Sequence, residues 1–339
     1  MPDYAILVYP SANRVYADSS PALLRAELAV FGGALSAEPV EVGERDLGGV
    51  GYVTFSTPAP LSEKDIALLS NLSALYALFE SDGEYLKPVR LSPAAEFDSD
   101  LLTIQKYAGK TNELFTKLLL NVTLLAAGTA PGDRVRVLDP LCGRGTTLNQ
   151  AMMYGFDGIG LDVDGKDFES YEHFVKTWLR TKRVKHTAET MTVRRDKVRL
   201  GRRLDVTYGA TKERYKAGDT RTIAYFNCDT LTADQVLRPG SADVVVTDAP
   251  YGVQHGSHRG TALARSPRDL LAAAVPVWTR VLRPGGAMGI SWNTTVLPRE
   301  ELAATLAKAG LRVHDGPFAE FEHRVDQAIL RDLIVATKP

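Results

Sequence analysis

Two stretches of the sequence place carboxylates next to turn-forming residues at the ends of apolar runs. The first is "VRVLDPLCGRGTTLNQA", residues 135–151. Its apolar run ends at Asp139, and Gly143 and Gly145 allow a tight backbone turn that can approach a ligand closely. Thr146 and Thr147 then open a helix whose unpaired N–H groups favour an anion. A dinucleotide fingerprint needs a third glycine, but that position holds the bulky Leu148, and Asp139 would repel a pyrophosphate. A carboxylate beside an anion site suits a ligand that joins an ammonium or sulfonium to a carboxylate, and S-adenosylmethionine (SAM) is such a ligand. In "GIGLDVD", Asp162 is placed to accept both ribose hydroxyls of an adenosine, with Asp164 as the alternative. Asp229 in "NCDT" is read as facing the adenine amino group or as capping its own turn.

The second stretch is "VVVTDAPYG", residues 244–252. An exocyclic amine of a nucleobase is a poor nucleophile because its lone pair is delocalised into the ring. The Asp248 carboxylate and the Ala249 carbonyl can accept its two N–H bonds, localise the lone pair and aim it, and Asp248 can take the departing proton. Pro250 stiffens the turn. Tyr251 offers a face for base stacking, worth about 1–3 kcal/mol per base in single-strand binders.

These two turns require a scaffold that brings distant strand ends together. From Arg134 onward, strand-like and helix-like runs alternate: "RVRVLDP", "GIGLDVD", "TIAYFNCD", "SADVVVTDAP" and "GGAMGISWN" read as strands separated by helices. That pattern predicts an α/β fold, a doubly wound Rossmann-like sheet with helices on both faces, and ligands in such sheets bind beyond the C-terminal strand ends. Residues 1–92 read as a separate small α/β domain with a ferredoxin-like pattern of strand, helix, strand, helix, and 93–339 as the larger domain. Within the former, "LSEKDIALLSNLSALYALFE" opens with Ser62 and Asp65, close to a capping box, and is expected to run as one amphipathic helix. Residues 165–221 interrupt the alternation and are expected to form a basic insertion. Between Lys166 and Thr222 there are 16 Lys/Arg against 8 Asp/Glu, so this arm is a candidate RNA-contact surface.

Composition narrows the classes. The chain has 339 residues with a net charge of −1, so polyanion binding must rest on charge distribution rather than on the sum. Cys142 and Cys228 are far apart and in no ligand-like spacing, which argues against zinc and disulfides and for a reducing cytoplasm. No apolar stretch is long enough to span a bilayer, and the N-terminus lacks the basic flank of a signal peptide. No metal is expected.

The segments "KYAGKTNELFTKLLLN", "LDPLCGRGTT" and "TDAPYGVQHG" together resemble a class I SAM-dependent methyltransferase with an Asp-Pro-Pro-Tyr-type motif. Within that group they resemble the RNA methylase family that includes THUMP-associated tRNA guanine-N2 methyltransferases. The resemblance covers about residues 105–337. It implies SAM as cofactor, RNA and specifically tRNA as partner, and guanine N2 as the target. It also implies that Thr111, Asn112 and Glu113 flank the methionine end of SAM. Asp139, Leu141, Cys142, Gly143, Gly145, Thr146 and Thr147 would shape the cofactor loop, with Asp162 and Asp229 toward the adenosine, and Asp248, Ala249, Pro250 and Tyr251 would form the catalytic turn. Two departures stand out: Ala249 replaces the first proline, and the first 90 residues match no THUMP domain.

Other readings follow from the same residues. A DNA adenine-N6 or cytosine-N4 methyltransferase would use the same turn, although such enzymes often append a target-recognition domain after the sheet. A non-catalytic RNA-binding protein on this scaffold is favoured only by Ala249. His255 and His258 have ligand-like spacing without carboxylate or thiol partners, and Arg259 is placed to meet a phosphate. Cys142 lies on the wrong strand for a nucleophile. Tyr171 and Trp178 are expected either to stack bases or, more commonly for such residues, to fill the core.

Overall fold

A computed structural model describes residues 1–10, 14–83, 85–195, 197–251 and 266–339. The first sheet is formed by β1 (Asp3–Val8), β2 (Val40–Leu47), β3 (Val50–Ser56), β4 (Leu75–Ser81) and β5 (Leu86–Val89), with α1 (Arg14–Gly32) and α2 (Glu63–Leu69) between its strands. The order is β2-β3-β1-β4-β5, and every pairing is antiparallel. Alternation puts Tyr4, Ile6, Val53, Phe55 and Leu78 on one face, packed under Leu24, Leu28 and Phe31 of α1.

The helix expected from Leu61 to Glu80 is two elements. The Ser62–Asp65 capping box does start α2, but the helix stops at Leu69. Ser70 Oγ and Asn71 Nδ2 then bond back to the carbonyls of Ile66 and Ala67. Such local bonds compete with helix propagation. The following "LYALFES" pairs with β1 as strand β4.

After α3 (Asp100–Thr103) and α4 (Glu113–Ala126), the chain builds the larger sheet. Its parallel core follows in order: β6 (Arg136–Asp139), α5 (Thr146–Met153), β7 (Asp157–Asp162) and α6 (Gly165–Thr181). Next come a hairpin of β8 (His186–Arg195) and β9 (Val198–Tyr208), α7 (Lys212–Lys216), β10 (Arg221–Asn227), α8 (Ala233–Val236) and β11 (Ala242–Asp248). The chain continues with α9 (Pro267–Val281), β12 (Leu282–Asn293), α10 (Arg299–Lys308), β13 (Arg312–Val313), β14 (His323–Arg324) and β15 (Leu330–Thr337). Strands β10, β7, β6, β11 and β12 are parallel. Antiparallel β15 and β13 continue one edge, and β9 and β8 the other. Helices α4, α5 and α6 pack on one face and α9 and α10 on the other. This is the expected doubly wound α/β sheet.

The chain winds outward from β6 through β7 to β10, then returns to β11 and winds the other way. The order therefore reverses between β6 and β11, the position where such sheets bind ligands.

The supposed interruption at 165–221 divides differently from expectation. Residues 165–181 are the ordinary crossover helix α6, with Phe168, Tyr171, Val175 and Trp178 buried in the core. Tyr171 and Trp178 are thus core residues. The rest joins the sheet: Leu204, Val206 and Tyr208 of β9 are buried, and residues 202–208 of β9 pair with the full length of β10. The overhang of this hairpin matters. β10 ends at Asn227 opposite Arg202, so Val198–Gly201 of β9 and the paired end of β8 project past the C-terminal edge of the parallel strands. At roughly 3.3 Å per residue that overhang is about 13 Å.

The smaller sheet is fixed to the larger through a buried polar knot. Glu27 of α1 is fully buried and accepts from Ser73 N (2.9 Å), Ser73 Oγ (2.6 Å) and Asn121 Nδ2 of α4 (2.8 Å). Asn121 also donates to Asn71 O (2.8 Å) and accepts from Tyr154 Oη (2.8 Å). Burial raises the pKa of Glu27 and lowers that of nearby Lys117. Removing one member leaves buried partners unsatisfied, at about 1–3 kcal/mol each. Asn121→Ala is therefore expected to destabilise the protein by about 3 kcal/mol in urea unfolding; a loss under about 0.5 kcal/mol would show that the knot is replaceable.

Candidate active site

The site is organised around one bond between the two strands that flank the reversal. Thr247 Oγ1 of β11 donates to Asp139 Oδ1 at the end of β6, at 2.9 Å. Leu141 N donates to the same oxygen (3.1 Å), and Thr147 of α5 also bonds this carboxylate. Asp139 is only 4% exposed, and burial pushes its pKa up to about 6 against these donors. Asp139 thus ties strand, glycine turn and helix together.

The turn itself is built by close approach. Gly143 and Gly145 have φ of +49° and +77°. A Cβ on Gly145 would overlap the Tyr171 ring, whereas above Gly143 there is open space within 4 Å. Tyr225 Oη donates to Gly143 O (2.7 Å), and Asp162 Oδ2 accepts from Gly143 N (2.9 Å) while Oδ1 accepts from Asp164 N (2.8 Å). Asp162 therefore folds the turn onto β7 and keeps further acceptor capacity. Asp164 is the N-cap of α6, and Asp229 is exposed and caps its own turn through Leu231 N. Cys142 is buried, which pushes its thiol well above its ordinary pKa.

Segment 105–113 crosses the front of this turn. Tyr107 Oη lies 3.3 Å from Thr146 Oγ1, and the Arg144 guanidinium sits 4.6 Å from the Tyr107 ring centroid. Asn112 caps α4, Glu113 pairs with Lys110 (3.4 Å), and Thr111 Oγ1 donates to Asp248 Oδ2 (2.6 Å). The segment expected to flank the methionine end of SAM and the expected catalytic turn are thus joined by a direct bond.

At the end of β11, Ala249 is buried and its N–H donates to Ser291 O (2.8 Å), which fixes the turn without the missing proline. Pro250 is exposed. The Tyr251 hydroxyl lies 2.6 and 2.7 Å from the two Asp248 oxygens. Its pKa is raised by burial and by the Asp248 charge, so it stays protonated and donates. The ring that the sequence assigns to base stacking is turned inward here. Gly252, His255, His258 and Arg259 lie outside the described residues.

Sequence reasoning missed Thr247, Tyr225, Tyr107 and Arg331. Arg331 carries the clearest signal in retrospect, a charge inside the apolar run "AILRDLIVAT". Its guanidinium lies 3.9 Å from Asp248 and over the rings of Phe115 and Tyr251.

The arrangement provides an open glycine cradle, spare carboxylate acceptors and a second carboxylate across the strand reversal. The sequence profile of UPF0020, described as RMKL-like, methyltransferase domain, matches residues 119–295, more than half of the chain. The chain belongs to this methyltransferase family. No curated protein matches it in sequence. Among solved structures, TrmN from Thermus thermophilus is similar at 14% identity over 100% of both chains, with a TM-score of 0.46. A TehB-like SAM-dependent methyltransferase from Corynebacterium glutamicum is similar at 14% identity over 64% of this chain and 85% of its own, with a TM-score of 0.37. The 1,6-didemethyltoxoflavin-N1-methyltransferase of Burkholderia thailandensis, with S-adenosylhomocysteine bound, is similar at 15% identity over 67% and 79%, with a TM-score of 0.39. Among the described residues of this family member, no helix is long and apolar enough to cross a membrane, and no group of acidic, His or Cys side chains is arranged to hold a metal ion.

The two glycines separate stability from ligand binding. An alanine at a left-handed position costs about 1–2 kcal/mol. Gly145→Ala adds the overlap with Tyr171 and is expected to lower the urea midpoint sharply. Gly143→Ala is expected to cost only the backbone term yet to weaken SAM binding at least tenfold by calorimetry. Equal effects of the two variants on both quantities would refute this division.

Proposed function

We propose that the protein transfers a methyl group from SAM to an exocyclic amine of a nucleobase in RNA, with guanine N2 of tRNA as the favoured target. The observation that carries this reading is the Thr247–Asp139 bond, which sets the glycine cradle and the Asp248 turn side by side at the strand reversal. In this reading residues 1–92 are a supporting domain and 93–339 the methyltransferase domain.

The residues present fit SAM. The open space over Gly143 admits a ligand against the backbone. Asp162 offers remaining acceptor sites for ribose hydroxyls, and exposed Asp229 has a second oxygen for an amino group. Thr111, Asn112 and Glu113 border the end nearest Asp248, with Leu141, Cys142, Thr146 and Thr147 completing the turn. SAM, when bound, supplies an electrophilic methyl group.

The chain's own work is orientation and proton removal. Asp248 holds Thr111 and Tyr251 as donors. The two N–H bonds of the substrate amine replace the Tyr251 hydroxyl on Asp248 and add the Ala249 carbonyl. The freed ring of Tyr251 can then turn onto the base. Asp248 accepts the proton that the nitrogen loses and returns it to solvent. A target base within a helix must first be flipped out.

RNA as the substrate is supported by the hairpin overhang. Arg194, Arg195, Lys197 and Arg199 are exposed near its tip, beyond the sheet edge that carries the site. Farther back, Arg202 and Arg203 are engaged by Glu169 and Asp205. The contact surface is therefore the tip rather than the whole arm. The resemblance of the three quoted segments to tRNA guanine-N2 methyltransferases favours the base and the RNA class.

Labelled-methyl transfer to unmodified tRNA, bulk RNA and duplex DNA, followed by nucleoside mass analysis, tests the reading. N2-methylguanosine from tRNA is expected, falling at least 100-fold in Asp248→Asn. Methylated adenine or cytosine from DNA alone would replace the RNA reading, and an unaffected Asp248→Asn would remove Asp248 from the chemistry. Replacing Arg194, Lys197 and Arg199 together by Gln is expected to lower the slope of log affinity for tRNA against log salt by about 2–3. SAM affinity should not change. An unaltered slope would place the RNA elsewhere.

A further inference from the structure

We propose that Arg331 is a positioning residue of the transfer reaction, holding the Asp248–Tyr251 pair in register through a guanidinium clamped between two aromatic rings. The proposal rests on the amine-methylation reading above. Arg331 lies near the start of β15, opposite Asn293 of β12 and His323 of β14. It reaches back across β12 toward the end of β11. Its Cζ sits 4.4 Å from the Phe115 ring centroid and 5.1 Å from that of Tyr251, and Nη2 is 3.9 Å from Asp248 Oδ2.

Stability alone does not explain this side chain. Arg331 is 5% exposed, its Nε meets no acceptor among the described residues, and its ion pair with Asp248 is long. Burying a guanidinium with an unmet donor is unfavourable, and an apolar chain of similar length between two rings is often as stable or more so. The neighbouring charges do not use it either. Asp332 is paired with Arg299 (2.6 Å) on the other side of the strand. His323, pushed down to about 4 by burial, is neutral at neutral pH and brings no competing charge. The carboxylate left for Arg331 to act on is that of Asp248.

The geometry shows what that action would be. Phe115 belongs to α4, the helix that Thr111 precedes, and Tyr251 follows Asp248. One planar cation therefore touches the helix that Thr111 leads into and the ring of Tyr251, beside both of the other donors on Asp248. When a substrate amine replaces the Tyr251 hydroxyl, Thr111 and Arg331 remain to keep the carboxylate aimed. The stacked guanidinium also gives the Tyr251 ring a surface to return to. Misplacing a reacting group by about 1 Å can cost roughly 100-fold in rate.

Arg331→Met and Arg331→Lys test this. The Met variant is expected to unfold at the same urea concentration as wild type or a higher one, and to bind SAM within threefold by calorimetry. Its kcat should fall about 100-fold, with KM for RNA changed less than threefold. Arg331→Lys keeps the charge without the planar stack and is expected to recover only part of kcat. Full kcat in the Met variant, or a loss confined to KM, would overturn the assignment, the latter making Arg331 a substrate contact. A markedly lower urea midpoint with kcat retained would make it structural. A crystal structure of the Met variant reads the same proposal without turnover: the Tyr251 hydroxyl should leave Asp248, and its persistence there would refute the clamp. If wild-type protein methylates no nucleic acid, the functional reading fails by itself, while the position of Tyr251 in that structure still decides the role of Arg331.

Discussion

The hydrogen bond from Thr247 to Asp139 is the constraint on which the site depends. Parallel neighbours β6 and β11 are joined in the sheet by only two registered residue pairs, Val244 with Val137 and Val245 with Leu138. Beyond them the strands diverge into different turns. Without a side-chain tie at that point, the separation of the glycine turn and the Asp248 turn would rest on loop conformation. The tie needs a carboxylate buried to 4% exposure, and the burial shows in a pKa near 6. Because the folded state holds that proton more tightly than the unfolded chain, ionising Asp139 opposes folding above about pH 6 and this opposition fades as pH falls toward 4. The same carboxylate therefore costs stability at neutral pH while fixing the geometry of the cleft. Loss of stability at a functional site in exchange for position is a general pattern.

A second layer of the same logic runs through α4. Its N-terminal neighbour Thr111 bonds Asp248, Phe115 meets Arg331, and Asn121, about 1.7 turns farther, enters the knot with Glu27. A helix transmits position because its hydrogen bonds are internal and its side chains pack at crystal-like density. The smaller sheet thus steadies the helix that follows Thr111, a donor to the Asp248 carboxylate. This gives the first 90 residues a mechanical part that requires no RNA contact of their own.

The sequence made the parallel core legible because each strand there is a short apolar run that ends in a turn signal. It made the glycine turn and the Asp-Ala-Pro-Tyr turn legible because their residue types are tied to backbone geometry. It misled over Leu61–Glu80, where helical spacing continued across Ser70 and Asn71 although their side chains return to the α2 carbonyls. It misled again over 165–221, because charge density obscured the alternation Leu204, Val206, Tyr208 that marks a half-buried strand. Thr247 and Arg331 could not be found from spacing. Their roles depend on which strands become neighbours, and that pairing is a property of the whole sheet. The inward turn of Tyr251 was hidden for a different reason: its hydroxyl is the donor three residues along the chain from the half-buried Asp248 carboxylate.

Charge is divided in a way that bears on how a polyanion would approach. Residues 1–92 contain 6 Lys/Arg against 12 Asp/Glu, whereas 166–222 reverse that ratio. A nucleic acid would be repelled by the first region and attracted by the second, each field reaching about 8 Å at physiological salt. Arg202 and Arg203 are already paired with Glu169 and Asp205, so the attraction would be concentrated at the overhanging tip. A strand held there lies past the C-terminal strand ends, on the side where the Asp248 turn opens. The acidic residues 1–92 would then discourage binding along their own surface. Orientation of the substrate would thus come from the sign of the charge on two parts of the chain, before any base is recognised.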